Sequence, residues 1–280
     1  MTNTTNLTRK DTMTVYTLAL PKGGTGRTTT AAELVAHLAA AGRRVLAIDL
    51  DQQGNLSTRL GFTSDTEVNG TAADVLTADA TATEAATPAP AVAGVHALVG
   101  TTELIAVDDN PPADLVTSLR DHLPTVTGPA GQWDDVVIDS APAMSRTALA
   151  ALAAADVVIA PVAASMESLA QLPRLEGTIR DLTRRVRPGL ALSWVVPTRA
   201  DHRRLLTRDV LEALHETYPG QVTGPVREAV AVADAFTAGL PVSLYRPGSA
   251  VAADYTAALE QITGHHLDSQ AAQQHEGQQA

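Results

Sequence analysis

The apolar positions of the chain gather into short continuous runs separated by stretches of helical spacing. "TVYTLAL" (14–20), "RVLAIDL" (44–50), "VHALVG" (95–100), "WDDVVIDSAP" (133–142), "DVVIAPV" (156–162) and "LALSWVVPT" (190–198) have strand length. Their near-continuous apolar character is that of strands buried on both faces of a parallel sheet. Between them, apolar residues recur at helical spacing over 28–41, 112–123, 145–155, 165–186, 203–218 and 250–263. "TAADVL" (71–76) predicts a further helix, "ADATATEAATPAPAVAG" (78–94) a long surface connection, and "QVTGPV" (221–226) a weak strand. Strands alternating with helices predict an α/β fold: a doubly wound, mostly parallel sheet flanked by helices, in one domain over 14–263. Residues 1–13 and 264–280 are polar and predict disordered tails.

Between the first strand and the first helix lies "PKGGTGRTTT" (21–30). Glycines let consecutive backbone N–H groups turn inward, and a helix N-terminus behind them adds positive potential, so the stretch has the makings of a phosphate loop. It departs from G-x-x-x-x-G-K-[ST], with Pro21 for the first glycine and Arg27 for the lysine. Gly23, Gly24 and Gly26 provide the nest. Thr28 stands where a hydroxyl can ligate Mg²⁺, and Thr29 where one can meet a phosphate oxygen. A glycine-rich strand–helix turn without a ligand is the plain alternative. Against it stand Asp49 and Asp51 at the end of the second strand and Asp139 at the end of "VVID". All lie at the carboxyl edge, where ligands of α/β sheets bind.

Composition narrows the classes. There is no cysteine, which removes disulfides, thiolate metal sites, iron–sulfur clusters and a cysteine nucleophile. No apolar run is long enough to span a bilayer and the N-terminus lacks a signal-peptide core, so a cytoplasmic protein is expected. Net charge is −11, yet nine arginines fall between Arg174 and Arg208, opposed there only by Glu176, Asp181 and Asp201. A solvated helix face is the ordinary reading of such a segment.

The stretch from Pro21 to Gly61 resembles the deviant Walker-A ATPases of the ParA/MinD group, whose loop reads K-G-G-x-G-K-[ST]. "DLDQQGN" (49–55) is similar to the D-x-D-P-Q-G-N of the ParA branch, with Gln52 in place of proline. "DDVVIDSAP" is similar to D-Y-I-I-I-D-x-P-P, with Ala141 at the first proline. The resemblance continues through "ADHRRLLTRDVLEAL" (200–214) and "AGLPVSLYRPGSAVAADYTAAL" (238–259), and so covers roughly 14–262. It implies a P-loop NTPase fold binding ATP and Mg²⁺, and a homodimer with ATP sandwiched between subunits. In that family the lysine matching Lys22 reaches the partner's nucleotide, so the residue replaced here is the loop lysine, by Arg27. The resemblance assigns catalysis to Lys22, Arg27 and Asp51, with Asp51 positioning the attacking water. It assigns Mg²⁺ to Thr28, Asp49 and Asp139. Nucleotide contacts fall to Gly23 through Thr29, including Thr25, and to Pro197 and Thr198.

The same resemblance turns the arginine segment toward non-specific double-stranded DNA, through Arg184, Arg185, Arg187, Arg203, Arg204 and Arg208, and hence toward the nucleoid. Two family positions that are usually basic read Glu228 and Ala231 here. The expected activity is slow, partner-stimulated ATP hydrolysis driving segregation of a plasmid, chromosome or other cargo, with a ParB-like or other adaptor. With the domain starting this early, no N-terminal helix-turn-helix is expected. A membrane-surface ATPase of the MinD kind would need a basic amphipathic C-terminus, which "GHHLDSQAAQQHEGQQA" lacks. "DQQGN" favours the ParA branch over amide- or ring-forming ligases. A nucleotide-binding regulatory scaffold, with hydrolysis crippled by Arg27, is the alternative.

Overall fold

The computed structural model describes residues 13–123, 132–142, 144–201 and 203–267; most of both expected tails lies outside the described residues. Seven strands form one sheet: β1 (Thr14–Leu18), β2 (Val45–Asp49), β3 (Thr87–Pro88), β4 (Val95–Leu98), β5 (Asp135–Asp139), β6 (Val157–Ala163) and β7 (Leu192–Thr198). Their order is β3-β4-β2-β5-β1-β6-β7, and every pairing is parallel except β3 with β4. All residues of β2 and β5 are buried, as runs without alternation require when helices cover both faces.

The helices between them are α1 (Arg27–Ala40), α2 (Asn55–Arg59), α3 (Ala72–Leu76), α4 (Ala82–Ala85), α5 (Glu103–Asp109), α6 (Leu115–His122) and α7 (Arg146–Ala154). They continue with α8 (Met166–Leu169), α9 (Leu172–Arg185), α10 (Leu205–Thr217), α11 (Ala231–Thr237), α12 (Val242–Tyr245) and α13 (Ala250–Thr263). One core cluster packs α1, α2, α11 and α13 on one face of the sheet, and a second packs α3, α5, α6 and α7 on the other. A third gathers α9 and α10 over β6 and β7. The chain leaves β1 toward β2 and leaves β6 toward β7, so the loop after β1 lies at the switch point of the sheet.

The structure corrects three expectations. Residues 78–94 are no plain surface connection. Thr81 and Glu84 form a reciprocal capping box that starts α4, and β3 then closes the sheet edge with Pro88, a residue without an N–H, where no further strand needs one. Ala82, Ala85, Ala86, Ala89 and Val92 from this stretch are buried. The helix expected over 165–186 is two: α8 ends near Ala170, and α9 begins with Pro173 in its first turn, where a missing N–H costs nothing. "QVTGPV" makes only single bridges, Val222 with Val195 and Arg227 with Ala200 just beyond it, and is no strand.

Gly264 closes α13 in the left-handed conformation, and the chain to Leu267 folds back on the body. His37 on α1 receives it: Nε2 lies 3.1 Å from both Thr263 Oγ1 and the His265 carbonyl. Burial lowers the His37 pKa from 6.5 to about 4, outweighing the His265 carbonyl and Glu260, which raise it; His265 and His266 lower it further. The unfolded chain therefore binds the proton first, and stability is lost as pH falls from about 6.5 toward 4. Between pH 7 and pH 5 this single group is expected to remove about 2 kcal/mol. Urea unfolding at the two pH values measures it, and His37→Gln flattens the slope.

Candidate nucleotide site

The loop from Pro21 to Gly26 joins β1 to α1. Gly24 and Gly26 have φ of 74° and 82°, conformations that admit glycine far more readily than any other residue. Gly26 is the N-cap of α1 and offers no side chain to the first-turn amides, so those N–H groups point outward without a capping partner. This is the arrangement that receives an anion. The loop is braced from behind. Thr198 Oγ1 donates to the Thr25 carbonyl at 2.7 Å, and Arg199 Nη1 donates to the Gly24 carbonyl at 3.2 Å. Arg199 takes a left-handed φ of 53° and is held by Glu228 at 2.8 Å. Glu228, at a family position expected to be basic, thus steadies the loop through Arg199. Ala231 is buried at the start of α11.

In front of the loop is a cavity of about 300 Å³, lined by Lys22, Gly24 through Thr29, and three residues absent from the sequence reading: Asn55, Arg59 and Phe236. Pro197 and Thr198, expected to touch nucleotide, are not on its wall. Their place is behind the loop, where Thr198 packs against Gly26.

Three carboxylates converge at the strand ends. Asp49 and Asp139 are register partners on β2 and β5. Asp49 Oδ2 accepts from both the amide and the hydroxyl of Ser57 at 2.8 Å, and Oδ1 accepts from the Asp51 amide at 3.2 Å. Thr28 stands close enough to Asp139 to lower its pKa, while Asp139 Oδ2 has no hydrogen-bond partner among the described residues. Burial raises the Asp49 pKa to about 7, with Asp139 adding to the rise. Burial likewise raises Asp139 to about 6, against the lowering pull of the Arg27 charge. An Asp139 oxygen without a donor, beside a threonine hydroxyl at a phosphate loop, fits a hard cation with oxygen ligands. Thr28 and Asp139 are the residues that fit. Asp49 has its oxygens occupied by Ser57 and Asp51, and shapes the site from one layer further back.

Arg27 lines the cavity, and its guanidinium is held by groups of its own chain. It is 6% exposed. Nη1 donates to the Leu20 carbonyl at 3.0 Å, Nε to Asp139 Oδ1 at 3.3 Å, and Nη2 lies 3.8 Å from Asp51 Oδ2. The reason is electrostatic: buried carboxylates need a counter-charge, and the guanidinium is within reach. Lys22 stands at the loop mouth and pairs with Glu167 of α8 at 2.5 Å, with side-chain exposures of 28% and 84%.

Gly100, after β4, escaped the sequence reading. A Cβ there would stand 2.7 Å from the Asp51 carbonyl and 2.8 Å from Asp49 Cγ, and its amide donates to Ser57 Oγ at 3.1 Å. A lone glycine after a strand carries no signal of this; only the fold brings it against the acid cluster.

The geometry is a phosphate loop with a strand-end acid cluster, and comparison with known proteins agrees. Residues 13–192 match the family model described as an AAA domain. The chain is 32% identical over 260 residues to the chromosome partitioning protein ParA of Caulobacter vibrioides, covering 92% of this chain and 96% of that one. The chain belongs to the ParA family of P-loop NTPases.

Two solved structures share the fold. Apo McdA of Cyanothece superposes with a TM-score of 0.78 at 21% identity, covering 89% of this chain and 99% of that one, a likeness of fold. The cobyrinic acid a,c-diamide synthase of Mycobacterium smegmatis, bound to an ATP analogue and magnesium, gives 0.70 at 26%, covering 91% and 98%. The doubly wound, mostly parallel sheet flanked by helices that the sequence predicts is observed, with seven strands.

The six arginines assigned to DNA do not form one patch. Arg184 and Arg185 end α9, and Arg187 pairs with Asp156, which precedes β6, at 2.7 Å. Arg203, Arg204 and Arg208 lie after β7, at the other end of the sheet, the end at which β1 runs into the nucleotide loop. The seven residues of β7 separate the two groups by roughly 20 Å. Arg203 and Arg204 are 90% and 70% exposed at the side chain and share Asp201. Among the described residues no helix is long and apolar enough to cross a membrane.

Proposed function

We propose that the chain is a slow ATPase that dimerises around ATP–Mg²⁺, binds duplex DNA without sequence preference in that state, and segregates or positions a cargo with the help of a stimulating adaptor. The observation that carries this reading is the outward-facing, uncapped start of α1 beside the Asp49–Asp51–Asp139 cluster. The loop amides hold phosphate oxygens. Thr28 and Asp139 hold Mg²⁺, which supplies charge neutralisation to the phosphate chain. Asp51, held near Arg27, orients the attacking water, and Lys22 crosses to the nucleotide of a second copy. Positioning and charge supply most of the catalysis in such chemistry, so turnover is slow until a partner orders the dimer.

DNA phosphates meet the exposed Arg203 and Arg204 at the nucleotide edge, with Arg208 beside them, and Arg184, Arg185 and Arg187 at the other end. Contacts of this kind need no base readout. The test is retention on random-sequence duplex at low salt with ATP–Mg²⁺, ADP–Mg²⁺ or no nucleotide. Retention with ATP alone is expected, and Arg203→Glu with Arg204→Glu is expected to weaken it more than Arg184→Glu with Arg185→Glu. Equal retention in all three states, or none, would overturn the DNA reading.

One observation favours a second reading, a nucleotide-binding regulatory scaffold with little hydrolysis: the Arg27 guanidinium is engaged by Asp139, Leu20 and Asp51. The turnover of Arg27→Lys decides between them. A large gain marks a wild-type site crippled by arginine; little change shows that arginine suffices.

A further inference from the structure

Arg59 is the last residue of α2, on the segment "DQQGNLSTRLG", and no functional reading has used it. It is 7% exposed. Its Nη1 has no hydrogen-bond partner among the described residues, and Nη2 reaches only the Val232 carbonyl, at 3.4 Å. The guanidinium carbon lies 5.0 Å over the ring of Phe236. Burial draws its pKa down against the pull of Tyr255, Glu33 and Asp139, and no carboxylate forms an ion pair with it among the described residues. A guanidinium held in this way is costly, because a buried charge needs both a counter-charge and filled donors.

The side chain borders the cavity in front of the loop, together with Thr28, Thr29, Asn55 and Phe236. Arg59 therefore stands on a wall of the space whose other wall is the uncapped N-terminus of α1. Both walls select an anion. The cation that the loop itself contributes, Arg27, is already bound to Asp139 and the Leu20 carbonyl.

We propose that Arg59 is a ligand of the nucleotide's phosphate chain, its guanidinium donating to a phosphate oxygen across the cavity from the glycine loop. The inference rests on the reading of this cavity as a nucleotide site. Arg59 takes over the phosphate contact that the loop cation supplies in a standard P-loop, while Arg27 serves the acids. Phe236 and the Val232 carbonyl hold the guanidinium plane in place before the ligand arrives, so little side-chain freedom is lost on binding.

Mg–ADP affinity of the full chain by titration calorimetry, with thermal unfolding midpoints measured without nucleotide, tests this. Arg59→Met is expected to weaken Mg–ADP by about 10- to 100-fold, the loss of one charged hydrogen bond in a dry site. Its midpoint without nucleotide is expected to match or exceed that of the wild type, since a buried uncompensated charge has been removed. Arg59→Lys keeps the charge without the fork and is expected to recover part of the affinity. Arg59→Met binding Mg–ADP within about twofold of wild type would overturn the proposal. So would a loss of affinity that tracks a fallen midpoint and is not rescued by Arg59→Lys, since that marks a packing role. Should Arg59→Met not fold, Arg59→Lys alone decides: a fall of about 3-fold or more supports the phosphate contact and no change refutes it. Wild type failing to bind Mg–ADP is a distinct result, which removes the nucleotide reading itself.

Discussion

Arg27→Ala is expected to destabilise the chain by about 3–5 kcal/mol, more than any other single change in the loop. The guanidinium is the only cation that forms an ion pair with Asp139 or Asp51 among the described residues, and both carboxylates are buried. Removing it leaves those acids facing each other and Asp49, without the charge that lowers Asp139. The loss in alanine exceeds the worth of the pair itself, because what remains is an unpaired buried charge. Chemical denaturation at pH 7 measures the effect. Lowering the pH toward 5 lets carboxylates protonate, so the gap between wild type and Arg27→Ala is expected to narrow there. Asp139 is already raised to about 6 with Arg27 present, and losing the arginine raises it further. An Arg27→Ala protein as stable as wild type at pH 7 would refute the counter-charge role.

Lys22→Ala is expected to lower ATP turnover by at least about 100-fold, the scale on which a preorganised charge at developing negative charge counts. Its effect on stability is expected to stay within about 1 kcal/mol, because its pair with Glu167 is open to solvent and largely screened. That split separates it from Arg27→Ala, which acts on folding first. Light scattering after size exclusion with Mg–ATP supplies the second readout: wild type is expected to form a dimer and Lys22→Ala to remain a monomer. Normal turnover in Lys22→Ala would sink the shared-site reading, since the lysine would then have no task on a second copy's nucleotide.

Much of this molecule is written along the chain. Unbroken apolar runs required a sheet covered on both faces, and helical spacing between them required crossovers, so the α/β class followed from period alone. Gly23, Gly24 and Gly26 before a helix, with aspartates closing the strands that register as β2 and β5, located the site at one sheet edge. The T-x-x-E of Thr81–Glu84 and the proline at 173 also mark the start of α4 and the break before α9, but reading 78–94 as a connection and 165–186 as one helix passed over both.

What the chain alone determined is therefore which segments form strands and helices and which edge gathers the candidate chemistry, because backbone periodicity and glycine conformation are local properties. The tertiary structure decided where the long cationic side chains go. Arg27 turns back to Asp139, 112 positions away, because a buried carboxylate draws whatever counter-charge lies within reach. Arg59 meets Phe236, and Gly100 meets Asp49, only after α2, α11 and β4 are docked on the same edge. The arginines between 184 and 208 are neighbours in sequence and lie at opposite ends of the sheet, because a seven-residue strand runs between them. A strand carries the chain across the whole domain, so charge that is clustered in sequence is divided in space.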